Sequence, residues 1–252
     1  MKPNTIILTL FVVGMICPLT ILAQIHLKAD IQNMHLWRGV QVADGVVLTS
    51  DLSITDSKEH FRFGLWGGTN TKGSYKEFNH YASYTNGGFK LAFWDTYNFS
   101  DGASYNNKEY FNYKARSTGR FLDSNVSYRF GQKFPLLLYW STILFGRDRD
   151  ELNEANKYSS YCYIEYPVYL KNEWRVDMGV GGAFALNRKG SSSNFYGRET
   201  GIVNACLKVS KDLNVFNYKL PVSVYCMWNP MENRANMQLS VTLLSLSPGN
   251  FP

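Results

Sequence analysis

The best candidate for nucleophilic chemistry in this 252-residue chain is His80 with Ser83, in the stretch "NHYASYT". A histidine activates a serine only where the two side chains meet, and strand positions three apart point to opposite faces. Without a bulge between them the pair is idle. His26, His35 and His60 have no evident nucleophile beside them. Cys162, Cys206 and Cys226 are too far apart for a CxxC metal or redox site, and their parities disfavour a cross-strand disulfide. No paired metal-ligand spacing, Gly-rich phosphate loop or GxSxG elbow is present. The expectation is a protein that is not an enzyme and holds no metal or cofactor.

The other chemistry lies in charges placed on alternate positions. Lys28, Asp30, Asp51, Arg62, Glu77, Lys90, Asp123, Arg129, Glu165, Arg175, Asp177 and Lys208 fall on one parity of strand-like segments, six basic and six acidic. The opposite parity is apolar, as with Phe61, Phe63 and Leu65, or Met237, Leu239, Val241 and Leu243. Period-two alternation puts the two sets on opposite faces of a strand. If the apolar face meets lipid, the charges line a lumen. A balanced lumen suggests residues that pair across it and narrow it, whereas a strongly selective pore would favour one sign.

These residues sit on about twelve strand-like segments, near 25–37, 45–55, 61–67, 75–85, 89–99, 120–130, 135–145, 157–168, 173–186, 200–209, 219–228 and 235–246. No segment has a helical period. Short connections ("TNGG", "GQKF", "LKNE") alternate with long polar ones at 100–119, 146–157 and 187–199. An up-and-down transmembrane barrel sorts its connections this way, with tight turns at one end and longer loops at the other. The expected fold is all-β, a single antiparallel barrel of about twelve strands over residues 24–252, monomeric in outer-membrane lipid. Residues 1–23 read as a cleaved export signal, with Lys2 ahead of "IILTLFVVGMICPLTILA". The formal charge of +6 is modest and its carriers are scattered, which argues against nucleic acid as a partner.

Loop 100–119, which carries Lys108, Tyr110, Tyr113, Lys114 and Arg116, is the expected constriction or surface-binding element. Asp95 breaks the pattern of "FKLAFWDTYNF", because it falls on the apolar parity. A carboxylate at bilayer depth is costly, so a β-bulge near Trp94 that turns Asp95 into the lumen is expected, with Arg62 or Lys90 as a partner.

The segments "LWRG" (36–39), "GLWGG" (64–68), "YASYTNGGFKLAFWDTYNF" (81–99) and "GGAFAL" (181–186) resemble the TorF-like porins of Bacteroidota, a loosely defined group of small outer-membrane barrels. The likeness spans nearly all of the chain after residue 23. It implies a porin-like barrel in a Gram-negative outer membrane and supplies no substrate or site residues. The chain departs from the usual pattern in ending on "SPGNFP" where such barrels end on an aromatic strand terminus. The leading expectation is passive diffusion of small polar solutes. The rivals are a barrel with a filled lumen that displays binding loops, and an exported soluble β protein.

Overall fold

The computed structural model describes residues 23–103, 109–187, 192–216 and 218–247. The expected export signal therefore lies outside the described residues except for Ala23, and so does Lys108. Twelve strands follow one another: β1 (Gln24–Trp37), β2 (Val40–Thr55), β3 (Phe61–Asn70), β4 (Lys76–Asn86), β5 (Phe89–Asn98), β6 (Arg120–Arg129), β7 (Leu137–Gly146), β8 (Ser159–Lys171), β9 (Trp174–Ala185), β10 (Gly201–Val215), β11 (Tyr218–Asn229) and β12 (Arg234–Leu246). Each pairs antiparallel with the next, and β12 pairs with β1 to close the barrel. Closure satisfies every sheet edge, which an all-β chain in lipid requires.

Two strands run longer than the residue pattern suggests. β2 begins at Val40 because Arg38 and Gly39 both take positive φ, 48° and 85°, and so close a two-residue hairpin. Pairing with β1 then continues through register shifts at Gln32/Met34 and His35/Leu36. β10 runs on to Val215, in unbroken register with β11 from Ala205.

The two faces sort by polarity. Phe63, Val126, Met178, Trp228 and Leu239 stand exposed on the outer wall. Thr49, Ser53, Asn125, Ser141 and Asn204 are buried on the inner one. Large rings lie flat along the inner wall where a glycine leaves room. Tyr161 covers Gly181 and Tyr163 covers Gly179, and a Cβ on either glycine would come within 2.2 Å of the phenol oxygen. The main apolar cluster is not central. It fills the mouth at the long-loop end, where Phe121, Ile143, Tyr161, Ala183, Tyr196 and Val203 pack together with Trp37 and Phe195 against them.

Candidate functional site

The mouth is built around Arg38. Its guanidinium donates to both oxygens of Asp123 on β6, Nη1 to Oδ1 at 2.9 Å and Nη2 to Oδ2 at 2.6 Å. It also donates to the hydroxyls of Tyr196, at 2.7 Å, and Tyr139. The charged plane lies 4.5 Å from the Trp37 ring centroid. Burial works against the charge, yet Tyr196 and the Asp123 carboxylate outweigh it and hold Arg38 protonated above its ordinary value. The hairpin tip is seated on strands just beyond the β12–β1 seam: Asn229 Nδ2 donates to the Gly39 carbonyl at 3.0 Å. A Cβ at Gly39 would stand 2.1 Å from the Val203 carbonyl oxygen, so only glycine permits this approach.

The ninth connection folds into the same place. Phe195 N–H donates to Ser159 Oγ at 2.9 Å, and Ser159 is held in turn by Asp148 through its N–H at 2.7 Å and its hydroxyl at 2.8 Å. Phe195 meets Phe121 at a centroid distance of 5.0 Å, and the Arg147 guanidinium lies 4.8 Å from the Phe195 ring. Hairpin 38–39 and segment 192–199 meet in the mouth, Arg38 donating to Tyr196 and Trp37 meeting Phe195 edge-on.

Below this cluster the inner wall carries the alternating charges. Their pairs are local. Lys28 meets Asp30 at 2.8 Å and Arg175 meets Asp177 at 2.7 Å, each two residues apart on one strand. Arg129 of β6 meets Glu165 of β8 at 3.0 Å. Asp51 accepts from Tyr81 at 3.0 Å, and Arg62 donates to Ser53 at 2.9 Å. Glu77 accepts from Asn79 and Asn98. Lys90 and Lys208 are exposed and make no ion pair among the described residues. These pairs run along the wall, since a side chain reaches its own strand or a near neighbour sooner than the opposite wall; the expected pairing across the lumen is found at Asp123, which accepts from Arg38.

A cavity of about 890 Å³ remains between the mouth and the body of the barrel. It runs against β1–β6, from Lys90 up to Asn98 and Phe121, and its walls include Trp66, Trp94 and Asn79. The register explains the grouping. Trp66, Asn79, Thr96 and Phe121 are successive partners across β3, β4, β5 and β6, so they form one inward row.

Asp95 is a second correction. β5 pairs with β4 and β6 without a register shift, so no bulge turns Asp95 inward. It stays on the outer row with Leu65, His80 and Leu122. What removes the cost is a cover. Arg120 Nη1 donates to Asp95 Oδ2 at 2.9 Å and Tyr113 donates to the same oxygen at 2.7 Å. His80 stands 3.8 Å away and is hydrogen-bonded to Tyr110 at 2.9 Å. Arg120 is only 1% exposed, although it too projects from the outer parity, because Tyr97, Tyr110 and Tyr113 surround its guanidinium at 4.3–5.0 Å. Burial and the Asp95 carboxylate push the Tyr113 phenol up to about 12. The described part of loop 100–119 thus clamps the outer wall. Lys114 and Arg116 are exposed on it.

His80 and Ser83 lie on opposite faces, His80 outward and Ser83 in register with inward Arg62. Cys162, Cys206 and Cys226 are all free thiols. Cys206 contacts the Tyr163 hydroxyl at 3.2 Å inside the barrel, while Cys226 is exposed. Among the described residues no cluster of three or more His, Cys, Asp or Glu is arranged to hold a metal ion.

No family model matches the chain, and no curated protein does. Solved structures do. A membrane protein from work on in-meso crystallization is similar at a TM-score of 0.51 and 9% identity, over 90% of this chain and 85% of that one. An outer-membrane channel from Pseudomonas putida F1 is similar at a TM-score of 0.40 and 13% identity, over 89% of this chain and 95% of that one. A bacterial polysaccharide outer-membrane secretin follows at 0.34 and 10%, over 88% and 96%. At these identities the likeness is one of fold alone, and the fold is the closed antiparallel barrel described above.

Proposed function

We propose that the chain is a narrow porin-like channel for passive diffusion of small polar solutes, resident in a Gram-negative outer membrane as a monomer and caught here with its long-loop mouth shut. The observation that carries this reading is a cavity inside the closed barrel, lined by charged, amide and aromatic side chains, behind an apolar outer wall. A barrel built only to anchor loops has no need of uncapped lysines on its inner wall, and Lys90 and Lys208 stand exposed there. Opening requires hairpin 38–39 to leave Asp123 and Val203. Kinship with the TorF-like porins of Bacteroidota and absence of catalysis belong to the same proposal.

A second reading, a non-conducting barrel displaying its loops, draws support from how fully Arg38, Tyr196 and Phe195 fill the mouth. Current through the refolded barrel in a planar bilayer decides between them. Brief salt-dependent steps in the native chain, made long-lived by removing Arg38, fit the channel. An inserted barrel that is silent with and without Arg38 overturns it.

A further inference from the structure

The cavity inside the barrel has a composition that a simple water-filled passage does not need. Two tryptophans, Trp66 on β3 and Trp94 on β5, line it one register row apart, with Trp37 at its upper end. Trp94 rests one face on Tyr81, with ring centroids 4.2 Å apart and planes 16° from parallel, and Tyr81 in turn lies flat over Gly64. That three-layer stack, glycine backbone, phenol and indole, fixes the Trp94 ring as a platform. Trp66 is held from one side by His35, at 5.6 Å between centroids.

Around these rings the polar groups divide in two. Asn79, Asn98 and Glu77 bond one another and the backbone, so they are committed to the wall. Gln41, Thr96 and the indole N–H groups of Trp66 and Trp94 make no hydrogen bond among the described residues, and all four side chains face the cavity. They offer donors and acceptors beside apolar ring faces. The formal charges nearly cancel: Arg38 is bonded to Asp123, Arg147 stands near Glu77, and Lys90 has Asp51 and Arg62 as its near charges.

A flat apolar face bordered by neutral donors and acceptors, in a charge-balanced cavity, matches the surface of a neutral sugar. A pyranose ring presents C–H groups on one face and hydroxyls around its rim. The volume of about 890 Å³ lies within the range of about 300–1,000 Å³ usual for small-molecule sites. From this geometry we infer that the lumen holds a binding site for neutral mono- or disaccharides, with Trp94 and Trp66 as stacking platforms and Gln41 and Thr96 contacting hydroxyls. The inference rests on the channel reading only in requiring that a solute can enter the lumen, and it gives that reading a solute class.

The test uses the full barrel refolded in detergent, with folding checked by heat-modifiable mobility. Maltose is titrated against tryptophan fluorescence and by calorimetry, with sodium gluconate as the anionic comparison. Saturable maltose binding is expected. Trp94→Ala should weaken it about tenfold, as loss of one stacked aromatic does, and Thr96→Val should weaken it without touching the rings. Trp140→Ala, on the outer wall, should leave it unchanged. Gluconate binding as well as maltose, or no saturable binding in a folded barrel, overturns the sugar site. Conductance of the same preparation is read separately. Current without maltose binding leaves the channel standing and sinks the sugar site, and binding without current does the reverse.

Discussion

Arg120 and Asp95 meet at 2.9 Å on the outside of the barrel, both on strand positions whose parity faces lipid. Their charges are shielded from it by Tyr110 and Tyr113, which the loop lays over them. An ion pair removed from water by its own loop is tolerated only while both members and the cover are present. Breaking such a buried pair from one side costs about 3–5 kcal/mol because the remaining charge is left uncompensated.

We therefore expect Asp95→Ala to lower the unfolding midpoint in urea by the equivalent of about 3 kcal/mol, and the double change with Arg120→Met to recover a large part of the loss. Equal losses in the single and double variants would show that the pair is not the source of the effect.

At the mouth, Arg38→Ala removes the hydrogen bonds to Asp123, Tyr196 and Tyr139. A loss of about 3 kcal/mol from the shut state shifts a shut/open ratio by about a hundredfold. Single-channel recording should show long open dwell times in place of brief ones. Unchanged dwell times would place the barrier elsewhere in the lumen.

Gly39→Ala tests the same closure through the backbone. Its new Cβ would stand 2.1 Å from the Val203 carbonyl oxygen, and Gly39 has φ of 85°. The hairpin should lift, and trypsin should cleave after Arg38 in the variant while the native chain resists there. Continued resistance would mean that the wall yields instead.

The loop between β7 and β8 holds two aspartates with opposite responses to pH. Burial pushes the Asp148 carboxyl up, against the pull of its bonds to Ser159. Its contribution is fully present below the ordinary carboxylate value, about 4, and is lost as pH rises through the raised one. Asp150 is held low by the backbone N–H groups of Glu154 and Ala155. Its contribution is present above the ordinary value and lost as pH falls through the depressed one. Protease cleavage within 147–158, followed across the acid range, should quicken for Asp150→Ala at neutral pH and not at the lowest pH. Asp148→Asn should flatten the weakening that native protein shows on leaving acid. A pH profile identical for all three chains would refute this assignment.

Strand number and register direction were legible because period-two alternation and the long and short connections agree over the whole chain. The Phe61, Phe63, Leu65 face and the Met237 to Leu243 face stand outward as their parity requires. Asp95 misleads because the residue pattern sets its cost against bare lipid. The signal that corrects it is a second misplaced charge, Arg120, at the far end of a tyrosine-bearing loop, which single-strand reading does not connect to it. Arg38 was illegible for another reason. A two-residue turn looks like surface, and only the fold shows that this one is bent across the lumen to Asp123. The cavity rows were hidden likewise, since Trp66, Asn79 and Thr96 become neighbours only through register.

The hairpin that seats Gly39 comes from the first two strands, while its anchors, Asn229 and Val203, belong to β11 and β10. Those strands come beside the hairpin only when β12 zips to β1. The mouth therefore cannot latch on a half-assembled sheet, and sealing becomes a report that the seam has closed. An intermediate with an open seam would be leaky by construction, and the time at which Arg38 gains protection from trypsin during refolding would mark completion of the barrel.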